Sequence, residues 1–264
     1  MKHSMMAAAI AGTLVFSAAA QTPSAPAAGP GPAPRMADGH PDLSGVWWRG
    51  SDIGGRNFAP GGGRPAPSQP PPSFSSLYKP EAAAHAKTLG DKDDPTLHCT
   101  PTAFGTLSVS LFDVGAVGQI IQTPKFVVML TETYHGFQII PFDGRPHRDN
   151  VPPSNRGDAV GRWEGDTLVV DKTNFTDVNW ISAEGRVSFH SDALHIVERY
   201  RRVDAKTLEI EATVEDSKVL SKPWNVSKQT LQLAPFDQIM ELACSGIDTQ
   251  TLRDASAGQN YGKN

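Results

Sequence analysis

An all-β fold, an antiparallel barrel of about nine or ten strands with one short helix, is predicted by three observations. From Leu107 onward the chain is a series of short β-rich runs, turn residues rather than helical stretches separate them, and the opening run carries Gly45-Val46-Trp47. Short strands joined by tight turns build antiparallel sheets, whereas βαβ units need longer helical crossovers. Closure removes exposed sheet edges, and a two-sheet β-sandwich is the alternative.

Asp42 to Trp48 reads as the first strand. The stretch Pro80 to Leu89 reads as a brief helix, with Pro80 at its first position and Gly90 just past its end. Val117 to Thr123 and Phe126 to Tyr134 read as a hairpin across Pro124-Lys125, followed by Phe137 to Pro141. On the second run Phe126, Val128, Leu130, Glu132 and Tyr134 share a face, because strand side chains alternate, and its apolar and aromatic members mark that face as the buried one. Val160 to Trp163 and Asp166 to Val170 form a further hairpin across Glu164-Gly165. Leu194 to Arg202 and Thr207 to Val214 flank Asp204-Ala205-Lys206, a register that sets Arg199 against Glu211 and Arg201 against Glu209. The opposite face carries Leu194, Ile196, Tyr200, Leu208, Ile210 and Val214, with Glu198 among them opposite Ala212. Runs at Val226 to Leu233 and Ile239 to Cys244 complete the set.

The chain has 264 residues and a formal net charge of -4. That length suits one domain, and the weak acidity offers no general attraction to nucleic acid or anionic lipid. Residues 1–20 have a basic start, an apolar run from Met5 to Phe16 and small residues before Gln21, the layout of a secretory signal peptide. The run is shorter than a bilayer-spanning helix, so stable membrane insertion is not expected. Residues 21–40 read as a Pro/Ala-rich linker, 41–250 as a single β domain with a Gly/Pro-rich mobile loop at 54–73, and 251–264 as a polar tail. Cys99 and Cys244, the two cysteines, both follow the leader, and an oxidising periplasmic or secreted compartment favours their pairing.

The segments Pro41 to Trp47, Asp143 to His147, Gly161 to Asp171 and His190 to His195 resemble those of a large family of exported bacterial hypothetical proteins. The resemblance implies export and carries over no catalytic residue. Gly45-Val46-Trp47 is also similar to the Gly-x-Trp start of lipocalins, which adds a calycin-type barrel by analogy.

No serine-nucleophile, dinucleotide, P-loop or metal-ligand motif is present, so no cofactor and no metal are expected. His195 falls on the charged face of Arg199 and Arg201, which favours a solvated role over shared metal binding with His190. The acid-base candidates are His147 and His190, at strand ends, and Glu198, on an otherwise apolar face. Arg162 is the candidate for holding an anionic group, and Glu132, Tyr134 and Trp180 for lining the substrate cavity. For each histidine a structural role is the more common one, and an arginine partner, Arg162 or Arg202, is the structural alternative for Glu198. The expected arrangement has His147 and His190 converging at one barrel mouth above Glu198. It would serve a lyase, isomerase or hydrolase acting on a small organic or glycosidic substrate. An exported binding protein with the same cavity and no chemistry is the alternative.

Overall fold

The computed structural model describes residues 30–49, 72–104, 117–132, 136–181, 187–240 and Cys244. Residues 1–20, residues 54–71 of the Gly/Pro-rich segment, residues 251–264 and Tyr134 lie outside the described residues. The described strands are β1 (Gly45–Trp48), β2 (Gly118–Gln122), β3 (Phe126–Thr131), β4 (Gly136–Pro141), β5 (Asp158–Glu164), β6 (Thr167–Thr173), β7 (Leu194–Arg202), β8 (Thr207–Asp216) and β9 (Trp224–Leu233), with one α-helix, α1 (Pro80–Ala86). All nine pair antiparallel in one sheet of order β4-β3-β2-β1-β9-β8-β7-β6-β5. The sheet curls until its end strands β4 and β5 lie side by side without a hydrogen-bonded ladder, a nearly closed barrel.

The first strand shows why the opening residues are what they are. Gly45 has φ +143°, and a Cβ there would meet the Leu233 side chain at 2.5 Å, so only glycine fits. Two residues on, Trp47 is fully buried; its indole N–H donates to Leu43 O, and the Arg202 guanidinium lies 5.0 Å from its ring centroid.

Inward-facing side chains form two apolar clusters. One contains Leu43, Trp47, Met129, Ile140, Leu168, Val170, Tyr200 and Ile210. The other, around Ile196, Val214, Phe175 and Trp224, is completed by Phe74, Leu77 and Ala82 from the segment carrying α1. That segment is tied on by Trp224 Nε1–H donating to Pro72 O and by Ser221 N–H donating to Leu77 O. At the waist between the clusters Glu198 accepts from Lys172 Nζ at 2.7 Å and from the Tyr200 hydroxyl at 2.7 Å. Lys172 and Glu198 are each 1% exposed.

The β7–β8 register is as expected: Arg199 opposes Glu211, Arg201 opposes Glu209, and Glu198 opposes Ala212. Three expectations need correction. The β5–β6 turn is Gly165-Asp166, one residue later than the sequence suggests, with Gly165 at φ +59° and Glu164 already paired with Thr167. On β3 the inward face is Val127, Met129 and Thr131, while Phe126, Val128 and Leu130 face out. Both faces of Phe-Val-Val-Met-Leu-Thr are apolar, so alternation alone cannot orient it. Ile239 and Met240 are irregular rather than strand, and residues 241–243 lie outside the described residues.

Cys99 and Cys244 form a disulfide across a sequence separation of 145. Thiol titration of the unreduced, denatured protein is expected to find no free sulfhydryl. Replacing both cysteines should lower stability by at most about 5 kcal/mol, the chain-entropy value for so long a loop. The waist makes a sharper prediction. Lys172→Met strands the Glu198 carboxylate and should cost about 3–5 kcal/mol in urea unfolding, whereas Lys172→Met with Glu198→Leu should recover most of it.

Candidate functional site: the β4–β5 seam

Where the ladder is missing, a cleft of about 720 Å³ opens on the outer surface. Its floor includes Gln138 of β4 and Ala159 of β5, its apolar walls are Phe126, Phe137, Ile139, Pro141 and Val160, and its rim comes from the 142–157 connection. The seam is held on the inside by Gln138 Nε2–H donating to Arg156 O at 2.9 Å. Four cations line it: Lys125, Arg145, Arg148 and Arg156. Gly136 explains the seat of Arg156, since any Cβ there would overlap its guanidinium. Arg145 pairs with Asp143 at 2.5 Å, and that guanidinium holds the Asp143 carboxyl down at about 2. Arg148 Nε–H donates to Asp158 Oδ1 at 2.6 Å. Burial opposes the charge on Asp158, but hydrogen bonds from His147 and Arg148 prevail and hold it below the usual carboxylate range.

A chain of alternating carboxylates and imidazoles pins the rim to the barrel. His147 places Nδ1 3.0 Å from Asp158 Oδ2 and Nε2 3.1 Å from Asp171 Oδ1. The same Asp171 oxygen lies 3.0 Å from His195 Nε2, and His195 Nδ1 lies 3.1 Å from Glu215 Oε2. Strand alternation puts all the strand members outward, so the row crosses β5, β6, β7 and β8 on one surface. Each ring has a carboxylate at both nitrogens, and for His195 only the doubly protonated imidazole donates at both ends. For His195 burial opposes that charge, yet Glu215 and Asp171 outweigh it and raise the imidazole above its ordinary value.

The other expected site residues are placed elsewhere. His190 is buried, with Nε2 3.0 Å from Asn179 Oδ1 and Nδ1 3.0 Å from Ser191 O, and burial pushes its imidazole down. Asn179 in turn donates to Pro101 O and Asn155 O, two residues of the cleft wall, so His190 supports the cleft from behind instead of meeting His147 at a mouth. Glu198 faces inward but is committed to Lys172 and Tyr200. Arg162 is far from that role: it lies on the outer face, paired with Glu164 at 2.8 Å. Glu132 is buried and accepts from Met240 N–H at 2.7 Å. Trp180 is buried in an isolated bridge to Phe189.

Sequence reasoning passed over Arg145, Arg148, Arg156, Lys125, Asp158 and Asp171. The signal available was local: Arg145, Arg148 and Arg156 crowd one connection between strands, and His195 shares outward parity with Arg199 and Arg201. Among the described residues no group of three or more histidine, cysteine or acidic side chains is arranged to hold a metal, and no helix is long and apolar enough to cross a membrane. The protein-family models, the curated proteins and the solved structures contain no match to this chain.

A raised imidazole stabilises the folded state fully below about pH 6.5, the free-histidine value, and ceases to do so as pH climbs through the higher value in the folded chain. The urea midpoint of the wild type is therefore expected to exceed that of His195→Asn at pH 5.5–6 by more than at pH 8.5. A gap that stayed constant or widened with pH would show that the row does not hold charged His195.

Proposed function

We propose that this is an exported, non-catalytic binding protein that takes a small anionic ligand with an apolar body in the seam cleft. The carrying observation is that four cations line one concavity with Phe126, Phe137, Ile139 and Val160. Guanidinium groups bind carboxylates and phosphates through charge-assisted hydrogen bonds, and the aromatic and aliphatic walls would desolvate the rest of the molecule. Export is supported by the signal-like layout of residues 1–20, by the resemblance to exported bacterial proteins and by the Cys99–Cys244 bridge, since disulfides persist outside the reducing cytosol.

One observation favours a second reading, acid-base catalysis as a lyase, isomerase or hydrolase. His147 bonds to Asp158, which lines the cleft, and the row behind it offers further groups that exchange protons. Glu198 and His190 give that reading no support, because their polar atoms are used within the fold.

The probe is 8-anilinonaphthalene-1-sulfonate, an anion with an aromatic body, followed by fluorescence. It should bind the wild type more weakly as salt rises, and Arg145→Gln or Arg148→Gln should each weaken binding by about tenfold, the value of one charge-assisted contact, with the circular dichroism unchanged. Equal affinity in all three proteins would remove the proposal. Ester or glycoside turnover that fell about 100-fold or more in His147→Asn would establish the second reading in its place.

A further inference from the structure

The outer face of β2–β3–β4 is mainly apolar, with Gln119 beside Leu130 as a polar exception. Phe137 is 63% exposed, Ile139 54% and Ile121 45%, and Phe126 joins them. The pairing register arranges these residues in a direction. Ile121 lies opposite Val128 and Val128 opposite Ile139, a straight aliphatic stripe perpendicular to the strands. Leu130 and Phe137 flank it on one side and Phe126 on the other. Spanning two inter-strand spacings, the stripe is about 10 Å long, which an extended alkyl chain of about eight carbons covers.

The stripe is not an isolated patch. Its β4 end, Ile139 with Phe137 and Phe126, is also the wall of the cationic cleft. Beyond it, across the seam, stand Val160, Arg148 and Arg156. Toward β1 the face is bounded by Trp48 and Phe236, which meet edge to face. A polarity gradient therefore runs along one line, from a cleft where four cations outnumber the carboxylates of Asp143 and Asp158 to the apolar surface after it. A flat bilayer would present anionic groups over the whole area, and a second copy of the chain would bring its own cations against these; a molecule with one anionic head and one tail matches the gradient.

We propose that the ligand is a single-chain anionic amphiphile, with its carboxylate or phosphate head in the Arg145/Arg148/Arg156 cleft and its alkyl tail along Ile139, Val128 and Ile121. This rests on the cleft being an anion site and adds the chemical class of what fills it. A methylene fully buried changes affinity about fourfold, so one laid on an open face should contribute about twofold.

The test is calorimetric titration of hexanoate, octanoate, decanoate and dodecanoate, each below its micelle concentration, alongside phosphatidylglycerol vesicles. Affinity is expected to rise about twofold per methylene and to level off once the chain outruns the stripe, after about ten carbons. Ile121→Ser, at an exposed position outside the cleft, should make the rise level off at a shorter chain while leaving hexanoate affinity within about twofold of wild type. Carboxylates that all bind equally would overturn the amphiphile assignment and leave the anion cleft standing. Failure of every carboxylate to bind at low salt would overturn both. Capture by vesicles with no binding of monomeric amphiphile would identify a membrane-facing surface and overturn the assignment.

Discussion

Everything distinctive about this barrel follows from one missing ladder. Eight strand pairings bend the sheet around until β4 and β5 are neighbours, yet no backbone pairing joins them. Two edge strands left open would be adhesive, and unpaired backbone groups in a seam need either water or a cover. The 142–157 connection supplies that cover. It crosses from the end of β4 to the start of β5, returns Arg156 to the seam, and lets the Gln138 side chain replace a ladder bond with one to Arg156 O. The cleft is what remains of a joint closed by a loop and side chains instead of by strands.

Because the loop is the cover, its anchorage is a structural requirement, and the imidazole row meets it on the outside. Asp158, Asp171 and Glu215 are fixed by three different strands, and His147 and His195 bridge between them. Exposed ion pairs contribute little singly, but a row sharing Asp171 Oδ1 constrains each member through the next. One cation of the cleft, Arg148, is oriented by the same row. Arg148 adjoins His147 in sequence and shares Asp158 with it, so the charge that would meet a ligand is positioned by the groups that hold the loop.

How much of this was legible in the sequence depended on contrast between neighbouring residues. The β7–β8 hairpin alternates charged and apolar side chains so regularly that its register, its inward face and the inward Glu198 could all be read directly. β3 offered no such contrast and was oriented the wrong way. The partner of Glu198 was readable in principle, since Leu168, Val170 and Lys172 share a face, but arginine was considered and Lys172 was not. The seam was illegible for a different reason: it joins β4 and β5 across a connection whose path no periodicity describes, and residues such as Lys125, Arg156 and Val160 meet only once the sheet has curled.

Filling the barrel decides where a ligand can go. Two apolar clusters occupy the inner face, and the Lys172–Glu198 pair with Tyr200 sits between them. A buried ion pair is a poor source of net stability, because desolvating both charges costs about as much as their attraction returns. Its value here is positional: Lys172 and Glu198 are on adjacent strands near the middle of the interior, and a slip of β6 against β7 by one residue would turn one charge outward and leave the other alone. The register of the β5–β8 half is thereby specified from within by charge, while the β2–β4 half, largely apolar on both faces, relies on packing and on the buried amides Gln122 and Gln138. That asymmetry places charge and order on one side of the seam and exposed aliphatic surface on the other. The cleft between them is where the two kinds of surface meet, which is why the ligand proposed for this joint carries both characters.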